Sequence, residues 1–296
     1  MSPPRRRPRG APGAPGPGHG TGGGGGGGRG GYGAGTGRPP LRAQPPRDGL
    51  GGDQVEGRQA VRELLAANRR PVTRLFLADG MDPAAILDEI EALAAKRRVR
   101  IEYVSRKRLD SLARTEGPQG VVALAKPVRE TPLDVLAEGV PGDRAPFLLV
   151  LDGITDPQNV GALLRSAECA GVTGVVFPRH RSAHLSPTVV KVAAGAVEYL
   201  PMAVVSGVPT ALQRLDALGV MTVGLDAGAP RPLHELAVGD EPVAVVLGSE
   251  GSGLAALTRK RCRALVSIPQ RGTLSSLNVA TAGAIACFDI ARHRSA

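Results

Sequence analysis

From Gln54 onward the chain alternates short apolar runs with segments whose apolar residues recur at helical spacing; the first 52 residues show neither period. VEGRQAVRELLAANR (55–69) places Val61, Leu64 and Leu65 on one side of a helix, and the strand VTRLFLA follows from Val72. DPAAILDEIEALAAKRR carries Ile86, Leu87, Ile90 and Leu93 at helical spacing. VRIEYVS then reads as a strand, KRLDSLAR as a short helix and GVVALAKPV as another strand. This alternation over 53–128 predicts a small α/β domain. The span 129–146 is richer in proline, glycine and charge and predicts a linker, helical around 133–137. Over 147–296 the strands are apolar on both faces. FLLVLD, GVVFP, MTVGLD, AVVLG and ALVSIP are continuous runs separated by helix-length segments, the pattern of a parallel sheet covered by helices on both sides. The ligand of such an α/β sheet sits at the carboxyl ends of its strands.

Three segments bring chemistry to those ends. The run SIPQRGTLSSLNVATAGAIACFDIAR from Ser267 to Arg292 leaves a short strand, crosses a polar loop and enters an alanine-rich helix too apolar to be exposed. Ser275, Ser276 and Asn278 therefore stand beside free helix N-terminal amides, where small polar ligands bind. GSEGSG (Gly248–Gly253) fails as a phosphate loop, because Leu254 and Ala255 follow where Lys and Ser or Thr are required. What remains is a flexible loop that lets backbone approach a ligand closely. Asn159 falls near a helix start after the turn-forming Asp156 and Pro157, and Arg165 follows on the same helix. An arginine there can clamp a phosphate bidentately. The competing role is an ion pair with Glu168 at i+3, worth roughly 0.2–0.5 kcal/mol on an exposed helix.

Composition changes this picture mainly at the N-terminus. The first 52 residues hold 20 of the 41 glycines and 10 of the 26 prolines, too few branched apolar residues to bury a core, and predict a disordered tail. Its eight arginines against one aspartate account for most of the formal net charge of +10, so the body is only mildly basic. Such an arm can hold phosphates nonspecifically, and the competing reading is a solubilising extension. No stretch approaches the ~20 apolar residues of a membrane span and no signal-peptide core is present, so a cytoplasmic protein is expected. Cys169, Cys262 and Cys287 are widely separated and read as buried thiols; the histidines show no ligand spacing, and no metal is expected. With no Trp, a base-stacking RNA-recognition sheet is disfavoured, and nucleic-acid binding must rest on charge and shape. Arg179, His180 and Arg181, with Lys191 beyond them, are candidates for an RNA channel.

LDGITDPQNVGALLRSAECAGVTGVVFP, VAVVLGSEGSGL and IPQRGTLSSLNVATAGAIACF, in that order, resemble the three motifs of the SpoU/TrmH family of RNA ribose 2'-O-methyltransferases. The resemblance runs from Gln54 to the C-terminus. It implies a SPOUT-type α/β sheet with a C-terminal trefoil knot, behind a ribosomal-protein-like substrate-binding domain, in a homodimer with each active site near the subunit interface. It implies S-adenosylmethionine as cofactor, held by main-chain groups around Gly248, Ile268 and Leu277, two of which otherwise read as core. It assigns catalysis to Asn159, Arg165, Glu250, Ser276 and Asn278, and Arg179 and Arg181 are added as RNA contacts. Because a guanidinium titrates above about 12, Arg165 is read as a phosphate clamp and stabiliser of alkoxide charge, not as a base. Many relatives carry a serine at the position of Ala280, so any role of that hydroxyl is absent here. The motif wording points to a guanosine of large-subunit ribosomal RNA; tRNA is the alternative substrate, and a silent RNA-binding assembly factor the alternative class. Neither DNA nor a membrane is expected as a partner.

Overall fold

Four short strands build the first sheet, in the order β1 (Gln54–Glu56), β4 (Val121–Ala125), β2 (Val72–Ala78) and β3 (Ile101–Val104). β4 pairs antiparallel with both β1 and β2, and β3 runs parallel to β2. The computed structural model describes residues 49–294 except 140, 141, 143, 237 and 275. Most of the predicted tail, and Ser275, therefore lie outside the described residues. One face of this sheet is covered by α1 (Arg58–Ala67), which buries Val61, Leu64 and Leu65 as its spacing requires, and by α2 (Ala85–Arg97), which buries Leu87 and Ile90. Ile86 and Leu93 are half-buried at its flank. On the other face α3 (Arg106–Leu112), capped by the Ser105 hydroxyl, sets Leu109 against Phe76 and Val122.

After α4 (Leu133–Glu138), six parallel strands form the second sheet. Their order is β10 (Ala264–Val266), β8 (Met221–Leu225), β9 (Val243–Gly248), β5 (Phe147–Asp152), β6 (Gly174–Pro178) and β7 (Met202–Val205). β5 shows why its run is continuously apolar: Phe147, Leu149 and Leu151 join one core cluster while Leu148 and Val150 join another. The first face is covered by α5 (Pro157–Cys169), α6 (Pro187–Val192) and α9 (Val279–Ala291); the second by α4 and α7 (Val208–Ala217), with α8 (Ala256–Arg261) beside α7.

The structure corrects the sequence at several elements. The first predicted helix spans β1, but Gly57 at φ 94° separates a three-residue strand from α1. β7 was not predicted, because MAVV is a four-residue edge strand with half-exposed residues. Leu50 to Gly52, assigned to the tail, are packed: Leu50 is buried, and its amide donates to Val128 O at 3.0 Å while that of Gly52 donates to Leu185 O at 2.7 Å. Cys287 is buried and Cys262 half-buried, but Cys169 is exposed on the last turn of α5. Finally, α9 is not wholly covered, since Ile285 and Phe288 on its outer face are 41% and 50% exposed.

Candidate active site

The carboxyl ends of β5 and β9 and the segment between β10 and α9 meet at one edge of the second sheet. Asp156 starts α5: its carboxylate accepts from the amides of Gln158 (3.3 Å) and Asn159 (3.1 Å), with Pro157 in the first turn. This puts Asn159 in the first turn of the helix, buried at 8% exposure. Asn278 caps α9 in the same manner, its Oδ1 accepting from Ala280 N (2.8 Å) and Thr281 N (3.2 Å). Ala280 in the first turn of α9 is buried.

The cap decides the rest of the network. With Oδ1 committed to two amides, Asn278 must face Asn159 with its Nδ2, which donates to Asn159 Oδ1 at 2.8 Å. Asn159 in turn presents Nδ2, which donates to Glu250 Oε2 at 3.1 Å. A helix cap is thus read out, through two amides, as a hydrogen bond that orients a carboxylate at the mouth of a pocket.

That pocket, of about 190 Å3, is walled by Leu225, Leu247, Ile268, Leu277 and Val279, with Gly248, Glu250 and Ser276 at its rim. Its volume lies below the roughly 300–1,000 Å3 of sites that enclose a whole ligand, so it takes one end of a molecule and leaves the other in the open. The glycine loop is held tightly against it. Ser249 and Gly253 exchange backbone hydrogen bonds at 3.0 and 2.9 Å, and a Cβ on Gly248 would lie 2.1 Å from the Gly253 carbonyl carbon. Gly251 and Gly253 turn the chain at φ 82° and 66°. Asp152 Oδ2 accepts from Ala255 N at 3.0 Å and ties this loop to the end of β5.

Seven of the sequence-predicted residues therefore converge: Gly248, Ile268, Leu277, Glu250 and Ser276 line the pocket, and Asn159 and Asn278 form the network on Glu250. Arg165 stands apart. It lies almost two turns beyond Asn159, which on an α-helix is about 9 Å of rise and about 240° of rotation, so its side chain leaves α5 from another face. It is exposed, makes no ion pair with Glu168 or any other described residue, and projects into a cleft of about 790 Å3. One wall of this cleft is α5 and Gly195; the other is Gly57, Gln59 and Glu63 of the first domain. Arg179 and Arg181 are exposed beyond β6, free of described side-chain partners. Their loop is anchored beside the approach to α5, where Ala183 N donates to Ile154 O at 3.2 Å. Lys191 lines the same cleft as Arg165, and its Nζ donates to Gly117 O at 2.8 Å and to Glu116 O, clasping the first domain. The sequence reading missed Asp152, although a carboxylate ending a buried strand at the ligand edge is a usable signal. Among the described residues no three His, Cys, Asp or Glu cluster to hold a metal, and no helix is long and apolar enough to cross a membrane.

Comparison with known proteins agrees with this geometry. Residues 146–288 match the SpoU rRNA Methylase family and residues 54–131 the RNA 2'-O ribose methyltransferase substrate binding family. The 23S rRNA (guanosine-2'-O-)-methyltransferase RlmB of Pseudomonas aeruginosa is 40% identical over 247 residues, spanning 82% of this chain and 97% of that one. The RlmB of Pseudomonas putida is 37% identical over 246 residues, 82% of this chain and 97% of its own. Among solved structures, an AdoMet-bound rRNA methyltransferase from Sinorhizobium meliloti superposes with a TM-score of 0.66 at 25% identity, covering 81% of this chain and 87% of that one. The SpoU methyltransferase AviRb from Streptomyces viridochromogenes shares the fold, with a TM-score of 0.67 at 23% identity over 81% of this chain and 88% of its own. A parallel sheet with its ligand pocket at the motif loops, an accompanying substrate-binding sheet and relatives matched along nearly their whole length make this chain a member of the SpoU rRNA methylase family.

Proposed function

We propose that this protein methylates a ribose 2'-hydroxyl in RNA, on a guanosine of large-subunit ribosomal RNA, with S-adenosylmethionine as donor. The observation that carries the reading is the hydrogen-bonded series Asn278–Asn159–Glu250 at the mouth of an apolar, glycine-edged pocket. The pocket fits the donor: Leu225, Leu247, Ile268 and Leu277 suit an adenine face, and the close-packed loop at Gly248 offers main-chain groups. Bound there, S-adenosylmethionine supplies an activated methyl group on a sulfonium centre. The names of the RlmB relatives and of the AdoMet-bound neighbour support the substrate and the donor.

The chain's own residues then have separable tasks. Glu250, held through Oε2 by Asn159, keeps Oε1 free to accept from a ribose hydroxyl and so to orient it and share its proton. Ser276 at the pocket rim offers a hydroxyl to the same ribose or to the donor's polar end. Arg165, unpaired and solvent-facing, clamps a phosphate and stabilises charge developing on the ribose oxygen. Arg179 and Arg181 extend the phosphate footprint. The exposed apolar face of α9, Ile285 and Phe288, is one that a second copy would cover, and α9 packs against α5, the helix that carries Arg165; both support a homodimer with the active site near the subunit interface. The chain also returns from edge strand β10, past a loop paired at Pro232 and Ser267, to α9 beside central β9, a course that supports the trefoil knot. Ribosomal RNA as substrate implies a cytoplasmic location.

The test is transfer of labelled methyl to protein-free ribosomal RNA and to bulk tRNA, with products mapped by alkali resistance of the adjoining phosphodiester. Label at one alkali-resistant ribosomal guanosine is expected. Label confined to tRNA replaces the substrate, and donor binding without any transfer to assembling or protein-free RNA supports the silent-binder class instead.

A further inference from the structure

Arg70 and Glu198 are 128 residues apart in the chain and meet in its interior, with side chains 7% and 2% exposed. Arg70 Nε donates to Glu198 Oε2 at 2.8 Å and Nη2 to Oε1 at 2.6 Å, a two-pronged pair. Nη1 donates to Gly52 O at 2.6 Å and to Lys126 O at 2.7 Å. Four of the five guanidinium donors are thus used, and they join the segment before β1, the start of β2 and the exit from β4 to the one-turn helix Ala196–Glu198 of the catalytic domain. Two lesser clasps flank this point. Tyr199 OH donates to Glu63 Oε2 at 2.7 Å, and Lys191 Nζ reaches the 115–117 turn. At Gly195 the approach is so close that a Cβ would lie 2.2 Å from Glu63 Cβ.

A buried ion pair is a poor source of net stability, since well-packed apolar residues hold an interface as firmly. Its distinctive property is direction: a planar fork bound on a carboxylate and two carbonyls admits one orientation, where apolar packing admits several. Glu63, Gly195 and Tyr199 of this junction line the Arg165 cleft, while Arg70 and Glu198 line a second cavity at the same junction, so the angle set by Arg70 bears on the separation of the cleft's two walls.

We propose that Arg70 and Glu198 are positioning residues that lock the substrate-binding sheet onto its own catalytic domain, making the pair of domains a ruler that selects which ribose reaches Glu250. RNA held by the first domain is then presented to the site at a set distance, and substrate register is a property of the junction as well as of the residues that touch RNA. The inference rests on the RNA-methylating reading of the site.

The experiment uses the full chain with Arg70→Lys, which keeps charge but loses the fork, and with the apolar pair R70M and E198L. Donor affinity is read by calorimetry, domain separation by small-angle scattering, and KM, kcat and methylated position on a 23S rRNA fragment. Expected in both variants are donor affinity unchanged within about twofold, an RNA KM raised about tenfold with kcat much less affected, and label on neighbouring riboses; the particle expands with Arg70→Lys, whereas the apolar pair stays compact and loses only the fixed orientation. An expanded particle with unchanged KM and a single labelled ribose overturns the ruler; scattering unchanged in both variants overturns the lock. Should both variants fail to fold, Lys191→Met with Tyr199→Phe decides on the same readouts. Lack of transfer by the unmutated chain refutes the methylating reading, while scattering still reports on the lock.

Discussion

Asn278 performs two tasks with one amide, and substitution separates them. Its Oδ1 caps α9, and its Nδ2 fixes the sequence of donors that ends on Glu250. Asn278→Asp keeps an acceptor for the cap, and Asp is as good an N-cap as Asn. It removes the donor to Asn159, whose amide cannot then serve two carboxylates at once. Stability is expected to stay within about 1 kcal/mol of the parent, with methyl transfer down about a hundredfold; urea unfolding beside a turnover assay measures both. Asn278→Ala loses cap and donor together and lowers both readouts. A pH effect belongs at this scale too. Burial pushes the Cys287 thiol up to about 12 from 9.0, and burial followed by the Asp152 charge does the same for Cys262. Above pH 9 the unfolded chain releases these protons and the folded chain does not, so stability is complete below that pH and falls as pH climbs toward 12. Thermal unfolding should show a declining midpoint from pH 9 to 11, and at pH 8 iodoacetamide should label native protein at exposed Cys169 first. A flat midpoint, or early labelling of Cys287, contradicts the burial described.

At the scale of elements, helix propensity and packing make opposite claims at Gly161. Alanine is the better helix former by about 1 kcal/mol, yet a Cβ at this position would lie 2.5 Å from Val192 Cβ and 2.9 Å from Val189 O, where α5 crosses α6. Backbone on the facing helix cannot yield cheaply, so overpacking of about 1–3 kcal/mol should win and Gly161→Ala should lower the urea midpoint. A raised midpoint would mean that α6 gives way. Four of the apolar runs, β5, β6, β8 and β9, were legible as strands because they are buried on both faces, the fifth, β10, by its continuous apolar run although it is a half-buried edge strand, and the start of α5 because Asp156 and Pro157 carry a local signal. β7 was not, since its apolar run is only the four residues MAVV. The position of Arg165 was not legible either. The motif places it on the helix of Asn159, but helical rotation turns it away, and what it faces is fixed by the docking of α1.

At the scale of the whole molecule, the domain junction was invisible because nothing in NRRP or VEYL marks a partner 128 residues away, and only tertiary structure joins Arg70 to Glu198. The same junction moves the start of the folded chain ahead of the compositional break. Removing residues 1–48 leaves every described contact in place, so the urea midpoint should not change. Removing 1–52 uncovers the site of Leu50, leaves Val128 O and Leu185 O without their donors and takes one acceptor from Arg70. Burial of a leucine side chain and lost hydrogen bonds at buried groups together imply a deficit of about 2–4 kcal/mol. Two truncations four residues apart should therefore differ sharply in stability, and equal midpoints would place the boundary after Gly52 as composition suggested. RNA affinity divides the same segment by another physical effect. Residues 1–48 hold eight arginines and one aspartate, and each phosphate neutralised contributes about −0.9 to the slope of log affinity against log salt on a duplex and about −0.7 on a single strand. If the arm lies on RNA, its loss flattens that slope by several units while the methylated position, governed by the folded domains, stays the same; an unchanged slope shows that the arginines touch no phosphate, and a changed position gives the arm a share in choosing the ribose.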